Sequence, residues 1–210
     1  MSAAKAVRAT RVLGTQAFVS PNQAELVAMA EALWAQQQQQ TEEGGGRPSS
    51  GSSESSSNSR RQPPDTPADQ STSSSSAEEQ LRGLRPHLAA VLGAGTRHVV
   101  LTLGGQGAAL CTLSVDRRWI EAALLPAAPA AAIVNCSGAG DALVAGACYG
   151  LLDGRPPVEA LALGVAAAAL AVQSAANIPP GLSAAGLAAA AGAVLRGRTA
   201  LRLRCGDGQP

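Results

Sequence analysis

Apolar residues fall at helical spacing in several separate stretches of this chain and in short unbroken runs between them. From Ala17 a brief apolar stretch stops at Ser20-Pro21. Leu26, Met29, Ala30 and Leu33 then recur three and four apart, which predicts a strand-to-helix junction with a helix starting near Asn22. Leu84, Leu88, Val91 and Leu92 give a second amphipathic helix, resuming at Leu81 and ending at Gly93 and Gly95. The run His98-Val-Val-Leu-Thr-Leu reads as a buried strand that Gly104-Gly105-Gln106-Gly107 turns into another, Ala108 to Leu113. Trp119 to Ala123 is a further strand or a connector. Helices are expected from about Gly138 to Leu152, Val158 to Ala176 and Leu182 to Leu195. Strands alternating with helices predict an α/β domain with a mainly parallel sheet flanked by helices.

Between the first two helices the pattern vanishes. Residues 36 to 80 are a glutamine tract followed by Ser, Gly and Pro with scattered charges, too poor in apolar side chains to offset the entropy of ordering. We expect a disordered insertion. Because loop-closure cost grows slowly with length, such a segment can interrupt one folded domain at its surface. The chain therefore divides into the start of a domain at 1–35, the insertion, the remainder of the domain at 81–197, and a flexible tail at 198–210.

Composition narrows the function. In 210 residues the formal charge is +1 and Lys5 is the sole lysine, which argues against a nucleic-acid surface. The apolar run Ala160 to Val172 falls short of the roughly 20 residues a membrane span needs and reads as a buried helix. Cys111, Cys136, Cys148 and Cys205 form no Cys-x-x-Cys pair, and His87 and His98 are not spaced as a metal-binding couple. A reduced, cytoplasmic chain is the simplest expectation. Lys5, Arg8 and Arg11 ahead of the first acid, Glu25, give the N-terminus a faint likeness to a mitochondrial-type transit peptide; a strand region there is the reading we favour.

The chemistry concentrates at Asn135-Cys136-Ser137-Gly138-Ala139-Gly140-Asp141, where a helix begins. Small residues let a ligand approach backbone amides, and the helix aims unpaired N–H groups and its positive dipole end at the same point. Asp141 in the first turn is placed to accept a proton from a substrate hydroxyl. Taken alone, the four residues from Gly138 to Asp141 read equally well as a glycine-rich helix start carrying a first-turn charge. No Gly-x-x-x-x-Gly-Lys-Ser/Thr run exists, and no Gly-x-Gly-x-x-Gly follows the first strand, so P-loop NTPases and dinucleotide-dependent oxidoreductases are disfavoured.

The stretch Val134 to Gly146, Val-Asn-Cys-Ser-Gly-Ala-Gly-Asp-Ala-Leu-Val-Ala-Gly, closely resembles the C-terminal signature of the ribokinase-like (PfkB) carbohydrate and nucleoside kinases. The resemblance implies a ribokinase-like fold and an ATP-dependent phosphotransferase using Mg2+ and a sugar or nucleoside as acceptor. It makes Asp141 the catalytic base and the amides of Gly138, Ala139, Gly140 and Asp141 the anion hole. Ser20 to Glu25 resembles the family's Asn-x-x-Glu motif, whose counterparts of Asn22 and Glu25 arrange water and Mg2+ near the phosphates. By themselves those two residues read as a helix cap and an exposed charge. Leu101 to Gly107 resembles the strand and turn beside the nucleotide, with Thr102, Gly104 and Gly107 as contacts; in isolation it is a hairpin.

Val172 to Pro179, with the Asn-x-Ser-Gly-Ala-Gly-Asp form of the signature, most resembles the pseudouridine-kinase branch. Asn177 would then lie near the adenine, although a helix C-terminal cap is the commoner role for such a residue. The chain departs from many family members in carrying Asn135 where they carry Asp, which removes a charge near the cation. The resemblance covers about Ala17 to Leu195, so the N-terminal part of the fold, with its acceptor contacts, is expected to be missing. Open sheet edge and apolar helix faces would result, predicting low stability or a need for a partner. The alternative is a noncatalytic nucleotide-binding or interaction module derived from such a kinase. Alanine spacing does not decide whether the late helices pack within the domain or against a second subunit in a homo-oligomer.

Overall fold

A computed structural model describes residues 17–44, 76–175 and 182–205, with 41–44 as backbone alone. The described strands form one sheet in the order β1 (Phe18–Val19), β2 (His98–Thr102), β3 (Ala108–Leu113), β4 (Trp119–Leu125) and β5 (Thr199–Arg204). The α/β class expected from the alternation holds, but the sheet is mixed where a mainly parallel one was expected. Only β1 and β2 run parallel among the described strands; β2 to β3, β3 to β4 and β4 to β5 are antiparallel. For the first two pairs the reason is local: short turns at Gly104–Gln106 and after Ser114 return the chain immediately to its neighbour, as only antiparallel strands allow, whereas three helices separate β4 from β5.

Three helices cover one face: α1 (Gln23–Gly44), α2 (Ala77–Gly83) and α3 (Arg85–Gly93). Leu26, Leu81, Leu88 and Leu92 meet Val99, Leu101, Cys111 and Ile120 in a fully apolar core. Two boundaries differ from expectation. The glutamine tract continues α1 to Gly44, because glutamine is a good helix former and extending a nucleated helix costs little. The second helix is two, broken where Pro86 opens α3 and Leu84 ends α2. It also begins before Leu81, at a capping box in which Ser76 Oγ accepts from the Glu79 amide and the Glu79 carboxylate accepts from the Ser76 amide. The rest of the expected insertion, 45–75, lies outside the described residues.

The opposite face carries α5 (Pro157–Val172) and α6 (Ala184–Arg196), with α4 (Ala139–Leu152) laid over α5. Leu161, Val165, Leu187 and Val194 pack on Val100, Leu110 and Leu125. The segment expected to be a flexible tail contributes β5: residues Thr199 to Arg204 pair with β4, and Leu203 is buried in the first core. The outer face of α4 stays apolar and exposed at Val144, Tyr149 and Leu152.

The contact of α4 with α5 is made through backbone. A Cβ on Gly164 would sit 2.4 Å from the Leu143 carbonyl oxygen, one on Gly150 2.7 Å from Ala160 Cα, and one on Gly146 2.8 Å from the Leu163 carbonyl oxygen. Any side chain at these positions forces the helices apart. Gly164→Ala is expected to destabilise the protein by about 1–3 kcal/mol through overpacking. The control Gly83→Ala, whose added methyl meets nothing within 4 Å, should leave the urea midpoint nearly unchanged. Equal midpoints for the two variants would contradict the close approach.

Candidate active site

Residues 126–138 carry the chain from the end of β4 to α4 without regular structure. Their path is fixed by the C-terminal end of α5. The Val134 amide donates to the Val172 carbonyl at 2.7 Å and the Asn135 amide to the same oxygen at 3.1 Å. Gln173 completes the attachment: its Oε1 accepts from the Ala131 amide at 3.0 Å while its Nε2 donates to the Ala169 carbonyl at 2.7 Å. These bonds satisfy helix-end carbonyls and tie the loop to a rigid element in one step. Sequence reasoning gave Gln173 no role, although an amide closing an otherwise apolar helix was a visible signal.

Past this anchor the loop tightens. Asn135 Oδ1 accepts from the Ser137 amide at 2.9 Å, an Asx turn that spends its side-chain oxygen within the loop. Gly138 then takes φ +79°, a left-handed conformation that disfavours other residues, and serves as the N-cap of α4. The Ala139 amide is directed at the Cys136 carbonyl at 3.4 Å, a long and weak bond. Among the described residues, the amides of Gly138, Gly140 and Asp141 have no acceptor. A Cβ built on Gly138 or on Gly140 meets nothing within 4 Å. Free donors, a helix N-terminus and open space over the glycines together suit a phosphate-sized anion. Asp141 is exposed on the first turn of α4 and makes no hydrogen bond or ion pair among the described residues, so its carboxylate is open to a substrate.

The other expected contacts gather at the C-terminal ends of the parallel strands. Asn22 forms an isolated parallel bridge with Thr102, and the Thr102 amide donates to the Pro21 carbonyl at 3.2 Å. Asn22 and Glu25 face each other in a capping box: the Glu25 amide donates to Asn22 Oδ1 at 2.9 Å and the Asn22 amide to Glu25 Oε2 at 3.1 Å. Capping is what their side chains do in this structure. Gly104 is exposed on the turn after β2, and Gly107 packs against the backbone of 125–127, where a Cβ would lie 2.1 Å from the Leu125 carbonyl oxygen. No hydrogen bond or ion pair among the described residues joins Asp141 to Asn22, Glu25 or Thr102. Asn177 lies outside the described residues. No cluster of three or more His, Cys, Asp or Glu that could hold a metal ion occurs among those described.

A match to the family model for pfkB carbohydrate kinases extends over residues 69–184, more than half of the chain. The chain belongs to the pfkB carbohydrate kinase family. It is 27% identical over 216 residues to a pseudouridine kinase of Arabidopsis thaliana, an alignment taking in 86% of this chain and 50% of that protein. It also resembles solved pfkB-type folds. A ribokinase of Thermotoga maritima superposes with a TM-score of 0.54 at 16% identity, covering 89% of this chain and 44% of that one. A nucleoside kinase of Burkholderia thailandensis, solved with inosine, gives 0.54 at 14%, covering 93% and 45%. The chain thus spans about half the length of the relatives it matches, and these structural likenesses establish a ribokinase-like α/β fold. The signature of this pfkB chain sits at the α4 N-terminus described above.

Two predictions follow from the geometry. Asn22→Ala should cost about 1 kcal/mol of stability through loss of the α1 cap, measured by urea unfolding; an unchanged midpoint would mean that the capping box does not form. The thiols divide by exposure: Cys136 and Cys148 are exposed, whereas burial pushes the Cys111 thiol up to about 12. At neutral pH a maleimide should modify Cys136 and Cys148 in the native protein and Cys111 only after unfolding, as read by peptide mass analysis.

Proposed function

We propose that this chain provides the phosphate-binding loop and catalytic base of an ATP-dependent kinase that phosphorylates a hydroxyl of a sugar or nucleoside. The single observation that carries the reading is the α4 N-terminus, with three unspent amides, open space above Gly138 and Gly140, and the free Asp141 carboxylate on the same turn. In the proposed reaction the acceptor hydroxyl donates a hydrogen bond to Asp141 and passes its proton to that carboxylate as its oxygen bonds to the γ-phosphorus. The bond from phosphorus to the β–γ bridging oxygen breaks, and ADP leaves. The amides of Gly138, Gly140 and Asp141 donate to the phosphoryl oxygens, with Ala139 joining if it releases Cys136. They are fixed by the loop's attachment to α5, so they need no reorganisation as charge spreads over those oxygens.

Thr102, Gly104 and Gly107 form the proposed nucleotide side, with Asn177 beside the adenine. Asn22 and Glu25 would meet Mg2+ through water: Glu25 Oε2 and Asn22 Oδ1 serve the cap, while Glu25 Oε1 remains for that contact. When bound, Mg2+ would neutralise charge on the phosphates. Pseudouridine is the preferred acceptor, a choice supported by the likeness to the Arabidopsis pseudouridine kinase. We place the protein in the cytoplasm, an assignment that accords with its four free thiols. No helix among the described residues is long and apolar enough to cross a membrane.

A second reading, a noncatalytic nucleotide-binding module, is favoured by one observation, the engagement of Asn22 and Glu25 with each other in a capping box. Turnover separates the two. With ATP, Mg2+ and a panel of pseudouridine, uridine and ribose, Asp141→Asn should lower phosphorylation by about 10²–10⁴-fold while leaving ATP affinity nearly intact. Unchanged turnover in the mutant would remove Asp141 as the base, and ATP binding without any turnover by the unmodified chain would favour the module.

A further inference from the structure

The sheet face that carries α5 is only partly covered. At the end away from Thr102 a broad groove of about 640 Å³ remains, walled by Pro157 and Val158 at the start of α5. That volume lies within the range of small-molecule sites. Its floor is set by strand register. His98 pairs with Thr112, Thr112 with Glu121, and Glu121 with Arg202, so four polar side chains form one row across four strands. The next row on this face, Leu110, Ala123 and Ala200, is apolar and mostly small.

Thr112, Glu121 and Arg202 keep hydrogen-bonding capacity. His98 stacks on Phe18 with ring centroids 4.4 Å apart, and its Nδ1, without a partner among the described residues, is closed to solvent. Among the described residues Thr112 Oγ1 makes only a long bond of 3.4 Å, to the Glu121 carbonyl. Arg202 Nε stands 4.0 Å from Glu121 Oε1, beyond hydrogen-bond reach, while its guanidinium lies 4.8 Å from the centre of the Trp119 ring. Glu121 and Arg202 cancel in charge. Burial, aided by the Arg97 charge, lowers the His98 pKa. The groove is thus apolar on one side and rich in donors and acceptors on the other. Arg202 and Ala200 come from β5, which lies beyond the family-matched segment 69–184.

We propose that this groove binds a small, neutral, planar heterocycle of the nucleobase type, its ring face on Leu110, Ala123 and Ala200 and its polar edge along Thr112, Glu121 and Arg202, beside the His98 ring. The site is separate from the phosphate loop. Four residue steps along β2, about 13 Å at strand rise, part His98 from Thr102. The proposal does not depend on the kinase reading, since no residue is shared between the two sites.

Trp119 reports occupancy. In a Trp34→Phe background, which leaves Trp119 as the only tryptophan, uracil, cytosine, adenine and hypoxanthine are titrated while Trp119 emission is followed. At least one base should produce a saturable change. Ala200→Phe, a substitution on the exposed β5 that fills the groove, should abolish the change. Thr112→Val and Arg202→Met should each weaken binding about tenfold, which covers the case in which Ala200→Phe does not fold. Saturating ATP and the substitution Gly140→Val should leave the base affinity unaltered. No saturable change with any base at millimolar concentration would overturn the proposal. So would binding that ATP or Gly140→Val removes while Thr112→Val and Arg202→Met leave it intact, since the base would then occupy the phosphate-loop site.

Discussion

The candidate site depends on the close approach of α4 to α5, in which glycines at 146, 150 and 164 let backbone meet backbone. That contact sets where α4 begins and hence where its free amides lie. The same α5 ends in the Val172 carbonyl, which takes the amides of Val134 and Asn135. One helix therefore positions both the start of the signature loop and the helix that follows it, and it rests in turn on Val100, Leu110 and Leu125 of the sheet. A phosphate cradle of backbone amides has no side chain to reposition if its helix shifts. Rigid packing below it is the physical requirement, and small residues on α4 and α5 meet it.

The arrangement also explains why so few side chains carry the proposed chemistry. In the proposed site, anion recognition would be a property of backbone direction and dipole, with the glycines mattering for what they leave out. Asp141 is the one proposed chemical group on the loop. Asn22 and Glu25, which the family resemblance sets near the phosphates, are engaged with each other as a capping box, so any water-mediated role would be added to a structural one. The Asx turn of Asn135 is a comparable case, shaping the loop through an oxygen that an aspartate would also supply.

Much of this was legible in the sequence because its signals are local. The glycine loop opening a helix, the strand from His98, the hairpin at Gly104 to Gly107 and the periodicity of α1 and α3 are written in neighbouring residues. What escaped depended on context. Glutamines 36 to 40 have no apolar face and read as disorder, yet they extend a helix already nucleated at Asn22. Thr199 to Arg204, charged and near the end of the chain, looked like a tail; it becomes a strand because β4 offers an edge and Leu203 finds a core. Pairing direction from β2 to β4 followed turn lengths more than the alternation of element types. The polar row across β2 to β5 could not be seen at all without register, since its four members are scattered from His98 to Arg202.

The most direct test of the central claim is the response of backbone amides to nucleotide in 15N-labelled protein. Titration with ATP and Mg2+ should shift the Gly138, Gly140 and Asp141 amide resonances progressively and saturably, while the Gly83 amide, remote on α2, stays unmoved. Saturable ATP binding that leaves the three loop amides unshifted would contradict the assignment of the α4 N-terminus as the phosphate site.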